Sequence, residues 1–276
     1  MIAEVAVLGG LGFVFAVGLA IASKKLEVKV DEKLSKVKEL LPGRNCGACG
    51  FASCDEYAEA LVNDPSLIKG CRLVADEERE KIAEVVGSEN EKVDHHCAAP
   101  LCRDGSELKF EYQGIESCAV AAGVGGGFLE CKYGCLGFGD CVEACPFGAI
   151  KMVNGLPQID DEKCTGCGLC VKECPRHVIA LLPRSAKLVV RCHSPEPAKV
   201  VAKACKNGCF TCNICERTCP VHAIKMENNL PVIDQAACTS CGTCVEKCPR
   251  HVLELVKFGE ASAPSLSPAA GCHTCH

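Results

Sequence analysis

The chain has 276 residues, a formal net charge of −5, 27 cysteines and no tryptophan. So high a share of cysteine indicates a disulfide scaffold, a set of metal sites, or both. The low aromatic content argues against a large conventional hydrophobic core, and no basic stretch is interleaved with aromatic residues. The composition therefore gives no support to nucleic-acid binding.

The first feature along the chain is an uncharged apolar run over residues 5–22, rich in Gly, Ala, Val, Leu and Phe. Its length just meets the requirement for a helix that spans a bilayer. Glu4 precedes the run and Lys24 and Lys25 follow it, which is the reverse of a secretory signal. The positive-inside rule then predicts that residues 1–23 form a single transmembrane helix in the cell (inner) membrane, with most of the chain in the cytoplasm. A buried core helix is the alternative interpretation.

The next segments are a linker and a small cysteine domain. Residues 24–38 are charged, with apolar residues at helical intervals, and predict a short amphipathic linker. Residues 39–94 carry four cysteines with the spacing C-x2-C-x4-C-x16-C: Cys46, Cys49, Cys54 and Cys71. Neighbouring glycines let backbone N–H groups approach the sulfur atoms. We predict one iron–sulfur cluster on these four thiolates, with zinc as the alternative.

Residues 95–128 have no clear pattern and are predicted to be a connecting region, with a flexible boundary at residues 123–127. Beyond it lie four groups of cysteines, each ending in Cys-Pro. They are Cys131, Cys135, Cys141 and Cys145; Cys164, Cys167, Cys170 and Cys174; Cys209, Cys212, Cys215 and Cys219; and Cys238, Cys241, Cys244 and Cys248. Three groups have the spacing C-x2-C-x2-C-x3-C-P of bacterial ferredoxins, which holds cubane iron–sulfur clusters.

Disulfides and zinc are the competing explanations for these groups. Thiols two residues apart are badly placed to bond with their neighbours, and zinc ribbons close one tetrahedron with two cysteine pairs. Three close cysteines plus a fourth before proline suit a cluster better. The chain is therefore predicted to transfer electrons one at a time.

The four groups belong to a duplication. Residues 145–182 and 219–256 align at a constant offset of 74 positions and share strings such as Cys-Pro-Arg-His-Val. Duplication at this scale builds a row of similar units. It predicts two tandem two-cluster ferredoxin-like modules, residues 129–184 and 185–256, followed by a tail over residues 257–276.

The predicted fold class is α+β, made of small cluster-stabilised domains behind the N-terminal transmembrane helix. Short strands are expected at Ile150 and Ile224, with partners at Val178 and Val252. The proline after each fourth cysteine ends the local helix.

The fourth cysteine of each group is predicted to bind the neighbouring cluster, as in two-cluster ferredoxins. The predicted sets are Cys131, Cys135, Cys141 and Cys174; Cys145, Cys164, Cys167 and Cys170; Cys209, Cys212, Cys215 and Cys248; and Cys219, Cys238, Cys241 and Cys244. With the N-terminal set they make about five 4Fe–4S clusters. The first set has the stretched spacing C-x3-C-x5-C, so a three-iron cluster is an alternative there.

Seven cysteines remain outside these sets. Five lack any group spacing: Cys97, Cys102, Cys118, Cys192 and Cys205. Buried free thiols are the simplest interpretation, and a sixth cluster drawn from four of them is the alternative. Cys205 precedes Cys209 as Cys131 precedes Cys135, so it is also a competing ligand.

The other two, Cys272 and Cys275, form a C-x-x-C-H motif at the end of the chain, which is the attachment pattern of c-type haem. Haem is normally attached on the outer side of the membrane, opposite to the predicted place of this tail. We therefore predict adventitious metal binding there and no haem. The chain has no G-x-G-x-x-G fingerprint after a strand and no Walker motif, so no NAD or flavin site and no catalytic residue is predicted.

The order of these features resembles the B subunit of the Rnf complex, a membrane-bound ferredoxin:NAD oxidoreductase that translocates sodium ions or protons. The likeness is carried by the apolar N-terminal run, by the string Asn45-Cys46-Gly47-Ala48-Cys49-Gly50, by Tyr112-Gln113-Gly114-Ile115 ahead of Cys118, and by the paired cysteine groups. It covers the chain to about residue 256.

The resemblance implies an electron-entry subunit of an ion-translocating oxidoreductase, with reduced ferredoxin and the other membrane and peripheral subunits as partners. Flavin and nicotinamide would then be bound by those subunits. A membrane-anchored polyferredoxin that serves another reductase without ion pumping is the alternative, and a metal-binding regulator without redox function is a third. Because ferredoxins are usually acidic, five basic residues are candidates for docking: Arg176, Lys206, Arg217, Lys247 and Arg250.

Overall fold

The computed structural model describes residues 31–88 and 95–259, together with residues 10, 12, 15–19 and 21. Most of the apolar run and the whole C-terminal Cys-His motif lie outside these residues. Within the part of the chain that is described, no helix is both long and apolar enough to cross a bilayer. The transmembrane helix of residues 1–23 therefore stays a prediction.

The N-terminal domain is helical. Its elements are α1 (Glu32–Leu40), α2 (Cys54–Asn63), a 3-10 helix (Pro65–Lys69) and α3 (Asp76–Val86). Ser53 begins α2 because its hydroxyl accepts the backbone N–H of Glu56 (3.1 Å), and the Glu56 carboxylate accepts the N–H of Ala52 (2.8 Å). This reciprocal cap satisfies two N–H groups that the helix cannot, and it fixes the entry of α2 at Cys54.

Two buried polar side chains hold the segment that returns Cys71 to α2. The Tyr57 hydroxyl donates to the carbonyl of Leu67 (2.7 Å) and accepts the N–H of Cys71 (3.2 Å). Burial raises the pKa of Tyr57 to about 12. The Arg79 guanidinium donates to the carbonyls of Val74 (2.8 Å) and Cys71 (3.4 Å). The loop thus depends on two hydrogen-bonding anchors.

Two modules follow, each built from two antiparallel strand pairs. In the first, β1 (His96–Pro100) pairs with β4 (Ile179–Pro183), and β2 (Ile150–Val153) pairs with β3 (Leu156–Ile159). In the second, β5 (Leu188–Val190) pairs with β8 (Leu253–Leu255), and β6 (Ile224–Glu227) pairs with β7 (Leu230–Ile233). The short helices are α4 (Cys118–Gly123), α5 (Asp140–Glu143), α6 (Leu169–Glu173), α7 (Ala198–Ala204), α8 (Ile214–Thr218) and α9 (Thr243–Lys247).

The predicted strands form, but their predicted partners are wrong. Ile150 and Ile224 lie in tight hairpins, and the strands after Val178 and Val252 pair elsewhere. Asn154 has φ +51° and Gly155 has φ +75°, and this left-handed pair makes the two-residue turn that best suits a twisted hairpin. Each of these strands therefore pairs with the next strand along the chain, across a two-residue turn, and not with a more distant strand.

The outer strand of the first module comes from the region that was predicted to be a connection. Residues 96–100 form β1 along the full length of β4, so this module begins before the predicted boundary at residue 129. In the second module β5 takes the same place beside β8. The short, alanine-rich β1 carries no alternating pattern that would distinguish it from a loop.

The modules have small cores in which cysteines predominate. Six of the eleven residues in the buried cluster of the second module are cysteines, packed with residues such as Leu188, Ile224 and Leu253. Small domains bury too little apolar surface to be stable without further cross-links. The fold of each module therefore depends on whatever its cysteines hold.

We expect Tyr57→Phe to destabilise the N-terminal domain by about 2 kcal/mol, because it leaves a buried carbonyl and a buried N–H without a partner. Amide hydrogen exchange along α2 should then accelerate by roughly 30-fold. Tyr112→Phe is the matched control, since its hydroxyl donates to an exposed carbonyl of Ile115, and we expect a change below about 0.5 kcal/mol. Equal effects of the two variants would contradict the role assigned to Tyr57.

Candidate iron–sulfur cluster sites

The four Cys-Pro turns share a backbone conformation, which in two of them directs a backbone N–H group at the cysteine of the turn. The third residue after each of these cysteines has a left-handed φ of 51° to 59°: Gly148, His177, His222 and His251. This conformation turns the next N–H toward the sulfur, as between Val178 and Cys174 (3.3 Å) and between Ala223 and Cys219 (3.3 Å). His177 and His251 are exposed turn residues.

The loops after Cys135, Cys164, Cys209 and Cys238 act in the same way. The second residue after each of these cysteines is again left-handed: Gly137, Gly166, Thr211 and Ser240. Backbone N–H groups of Gly137 and Thr211 lie against Cys135 and Cys209 and lower the pKa of those thiols, although burial outweighs this effect. Hydrogen bonds to a thiolate favour its charged form, so these loops are built to receive sulfur as an anion.

The four N-terminal cysteines surround one cavity, which we call site 1. It is lined by Cys46, Cys49, Cys54 and Cys71. The amide oxygen of Asn45 accepts the N–H of Cys54 (2.8 Å), which joins the first loop to α2. Burial, aided by the nearby thiols of Cys49 and Cys54, raises the pKa of Cys71 to about 11. The structure therefore brings together all four cysteines that were predicted for this site.

Site 2 lies in the first module and adjoins site 1. It comprises Cys145, Cys164, Cys167 and Cys170, as predicted. Burial and the thiols of the other three raise the pKa of Cys170 to about 12. Cys167 also lines the cavity of site 1, and the Cys46 thiol contributes to a raised pKa of Cys167 that is due mainly to burial.

Cys97 adjoins site 2 and stands outside the four cysteines that were predicted for it. Its thiol hydrogen-bonds with Cys164, which raises the pKa of Cys97 and lowers that of Cys164. The sulfur of Cys164 also accepts the N–H of Ala98 (3.4 Å). Cys97 is fully buried on β1. Its thiol thus donates a hydrogen bond to the sulfur of Cys164, which is the more readily ionised of the two.

Site 3 differs from the prediction by one residue. Its cavity is lined by Cys118, Cys135, Cys141 and Cys174. Cys131, which was predicted in this set, does not line this cavity and lies at another one between the two modules. The crosswise place of Cys174 agrees with the predicted exchange of fourth cysteines.

The repeat explains why Cys131 is replaced. At the offset of 74 positions Cys131 corresponds to Cys205, Cys135 to Cys209, and Phe138 to Cys212. The first module therefore lacks the middle cysteine of its group. The Phe138 ring packs instead against Tyr112 and Phe128, at centroid distances of 5.6 and 5.7 Å.

Asp140 holds Cys118 at the corner that this substitution leaves without a cysteine. Its carboxylate accepts the N–H groups of Cys118 (2.8 Å) and Ala119 (3.1 Å) and the hydroxyl of Ser117 (2.9 Å). This ties the start of α4 directly to Asp140-Cys141. The signal that sequence analysis missed was the unpaired Phe138 in the repeat, since a missing ligand requires a substitute.

The second module contains sites 4 and 5 in their predicted composition. Site 4 is Cys209, Cys212, Cys215 and Cys248. Site 5 is Cys219, Cys238, Cys241 and Cys244. Burial, with the thiols of the other three cysteines of site 4 adding to it, raises the pKa of Cys215 to about 11. The cysteines of site 5 line one cavity, and Cys241 is exposed there.

The donor set fits an iron–sulfur cluster. Each site offers four thiols, backbone N–H groups on sulfur and apolar surroundings. Open cavities adjoin the thiols at sites 1, 3 and 5, with about 320 to 450 Å³ of empty space that includes solvent at their mouths. Among the described residues, no three His, Cys, Asp or Glu side chains converge on a point suited to a single metal ion.

Some of the basic residues that were candidates for docking have structural partners. Arg176 donates to the carbonyl of Gly126, and Arg250 donates to the carbonyls of Cys205 and Lys206. Lys206 forms an ion pair with Glu107 (3.3 Å). Arg217 donates to the carbonyls of Cys212 (3.2 Å) and Asn213 (3.4 Å). It is nevertheless exposed, as is Lys247, and these two residues are the better candidates for contact with another protein.

Three family models match the chain. Residues 41–73 match a model described as "Putative Fe-S cluster", residues 157–180 match a 4Fe-4S binding domain, and residues 208–253 match a 4Fe-4S dicluster domain. The chain therefore contains several iron–sulfur domains. These ranges include site 1 and all the cysteines of sites 4 and 5.

Relatives match most of the chain. The B subunit of the Na(+)-translocating ferredoxin:NAD(+) oxidoreductase complex of Acetobacterium woodii is 37% identical, over 85% of this chain and 72% of that protein. The B subunit of the proton-translocating complex of Clostridium ljungdahlii is 44% identical, over 82% and 81%. The B subunit of an ion-translocating oxidoreductase complex of Methanosarcina acetivorans is 39% identical, over 85% and 90%. With its cysteine sites in the order described, the chain belongs to the family of Rnf complex B subunits, the B subunits of ion-translocating ferredoxin:NAD oxidoreductases.

Proposed function

We propose that this chain is the iron–sulfur electron-transfer subunit of an ion-translocating ferredoxin:NAD oxidoreductase complex. The observation that carries the proposal is the gathering of twenty cysteines into five four-thiol sites, in a chain that belongs to the B-subunit family. No nucleotide-binding fingerprint occurs in the sequence, so the chain is one part of an oxidoreductase whose remaining chemistry belongs to other subunits.

Sites 1 to 5 would each hold one 4Fe–4S cluster, with Cys118 in place of Cys131 at site 3. Such a cluster accepts and releases a single electron. The chain itself supplies the thiolates, donates backbone N–H groups to them and surrounds them with apolar residues, and these are the features by which a protein sets a cluster potential.

The sites follow one another in space. Cys167 of site 2 also lines the cavity of site 1. The Cys141 thiol of site 3 contributes to the raised pKa of Cys170 in site 2, although burial and the other thiols of site 2 contribute more. Sites 4 and 5 lie together in the second module. Because electron transfer weakens steeply with distance, neighbouring sites of this kind support a relay from one end of the chain to the other.

The two ends of the relay suit different partners. Site 1 is packed beside α1, which follows the predicted membrane segment, so this end would deliver electrons toward the membrane subunits. Site 5 lies in the second module and has the exposed Cys241. Reduced ferredoxin would dock there, and residues 1–23 would anchor the chain in the cell membrane with its domains in the cytoplasm.

Membranes that contain the complete complex should reduce NAD with electrons from reduced ferredoxin, and this activity should disappear when the chain is deleted and return when it is restored. The rate should depend on the translocated ion. The names of the relatives include both sodium and protons, so both are assayed. Deletion that leaves an ion-independent activity intact would favour the polyferredoxin alternative and would refute the proposed role.

Charge reversal at Arg217 and Lys247 should slow the oxidation of ferredoxin at low ionic strength, because steering by exposed charges is long-ranged only there. We expect a decrease of about tenfold for the double variant Arg217→Glu, Lys247→Glu, and a loss of the effect at high salt. Lys151→Glu with Lys199→Glu, two exposed positions away from site 5, is the matched control. Identical rates for both double variants would reject docking at site 5.

Cys118→Ala should remove the cluster of site 3, because it takes away one of four thiolates. The purified chain should lose about four iron atoms and an equal amount of acid-labile sulfide. Cys97→Ala is the matched control, since Cys97 is a buried thiol beside a site and not among its four. Full iron content in Cys118→Ala would overturn the assignment of Cys118.

A further inference from the structure

A cavity between the two modules is lined by four cysteines that belong to none of sites 1 to 5. They are Cys102, Cys131, Cys192 and Cys205. The cavity encloses about 450 Å³ of empty space, partly open to solvent, which equals the value at site 1. None of the four lies within the residue ranges that the family models match.

The four cysteines form two pairs that the duplication relates. Cys131 and Cys205 differ by the repeat offset of 74 positions. Cys102 and Cys192 each stand two residues after the end of an outer strand, β1 or β5. Pro100 at the end of β1 pairs with Ile179, and Val190 at the end of β5 pairs with Leu253, the equivalent residue of the other module. Each module therefore contributes the same two thiols to the cavity.

The backbone environment of the pairs is equivalent as well. The sulfur of Cys192 accepts the N–H of Cys209 (3.4 Å), and that of Cys102 is hydrogen-bonded by the backbone of Cys135, the equivalent residue. Cys131 is hydrogen-bonded by the backbone of Tyr133, and Cys205 by the backbone of Asn207, which is again equivalent. This pattern of N–H groups on sulfur is the same as at sites 1 to 5.

Ser106 joins the two sides of the cavity. Its hydroxyl accepts the N–H of Cys131 (2.9 Å) and donates to the carbonyl of Ala204 (3.0 Å), the residue before Cys205. Two further hydrogen bonds join the same two segments of chain. The Lys206 N–H donates to the Gly105 carbonyl (2.9 Å), and the Asn207 side-chain amide donates to the Asp104 carbonyl (2.9 Å). Hydrogen bonds from residues that line the cavity thus fix the two sides of the junction relative to each other.

Charge is arranged symmetrically around the four thiols. Burial, with the thiols of Cys131, Cys102 and Cys192 adding to it, raises the pKa of Cys205 to about 11, so the thiols are close enough to repel one another as anions. Arg250 donates to the carbonyl of Cys205. The equivalent Arg176 lies near Cys131, and the Cys131 thiol acts to raise the pKa of Arg176, although burial lowers that pKa overall. Equivalent arginines of the two modules therefore lie beside the equivalent thiols of Cys131 and Cys205.

We propose that Cys102, Cys131, Cys192 and Cys205 hold a sixth four-iron cluster, with two ligands from each module. Its role in the relay rests on the proposed function, whereas its existence does not. Cys135 lines both this cavity and that of site 3, and Cys192 is bonded to the backbone of Cys209 in site 4. The junction cluster would thus stand between sites 3 and 4 and connect the relay of one module to that of the other.

The test compares iron and acid-labile sulfide in the full chain, purified without oxygen, with those in two double variants. The unmodified chain should contain about 24 iron atoms. Cys102→Ala with Cys192→Ala should contain about 20, and so should Cys131→Ala with Cys205→Ala. The quadruple variant should also contain about 20, because all four thiols bind one cluster. Retention of about 20 iron atoms shows that each variant folds.

Ser194→Ala is the matched control, because this buried residue lines the same cavity without a thiol, and it should keep about 24 iron atoms. Three outcomes would overturn the junction cluster: an unmodified chain with about 20 iron atoms, double variants with undiminished iron, or one zinc atom per chain that the double variants lose. In each case an unmodified chain with at least about 20 iron atoms would leave the five other sites intact. Near absence of iron from the unmodified chain would instead refute the proposed function itself.

Discussion

The contact between backbone N–H groups and cysteine sulfur is the interaction on which the rest of this structure depends. It is made by left-handed turns at fixed distances from each cysteine, as at His177 after Cys174 and at Gly166 after Cys164. Such turns bring N–H groups to sulfur without any side chain between them, and they favour the thiolate over the thiol. The same turns then start the short helices and hairpins of the modules. Ligand placement and chain folding are therefore one process, and a core in which cysteines predominate cannot be treated separately from what it binds.

Duplication produced two modules that are equivalent in their turns but unequal in their ligands. Where the second module has Cys212, the first has Phe138, and the Phe138 ring has joined a small aromatic cluster with Tyr112 and Phe128. Loss of a ligand and gain of a packing contact occur at one position. The connecting segment, anchored by that cluster, returns a different cysteine to the corner that lacks one, and the Asp140 carboxylate holds it there. One substitution in the repeat thus explains both the stretched spacing of the first group and the fold of the segment before it.

The sequence was sufficient for the parts of this molecule that repeat and insufficient for the parts that join them. Regular spacing predicted sixteen of the cysteines in sites 1, 2, 4 and 5, because short loops leave a cysteine few places to go. Spacing does not distinguish the place of Cys131, which lines the cavity between the modules and whose N–H donates to Ser106, 25 positions earlier in the chain. It also failed for β1, since five residues rich in alanine have no periodicity of their own and become a strand through pairing with β4. The hairpins form because the left-handed pairs Asn154-Gly155 and Asn228-Asn229 close two-residue turns, which join each strand to the next one along the chain.

Because the two halves of the junction have the same origin, duplication affects how a relay of centres lengthens. A copied two-cluster module adds length, but it leaves a gap between the last centre of one copy and the first centre of the next. Residues at the ends of β1 and β5 lie on the surface by which the copies meet, and so a cysteine there faces its own counterpart. A pair of such positions per module provides four thiols at the interface without any new segment of chain. Since Arg176 and Arg250 are duplicated along with them, the positive charge needed beside four thiolates arises from the same event. Duplication thereby creates an interface at which the proposed junction cluster would connect the relays of the two modules.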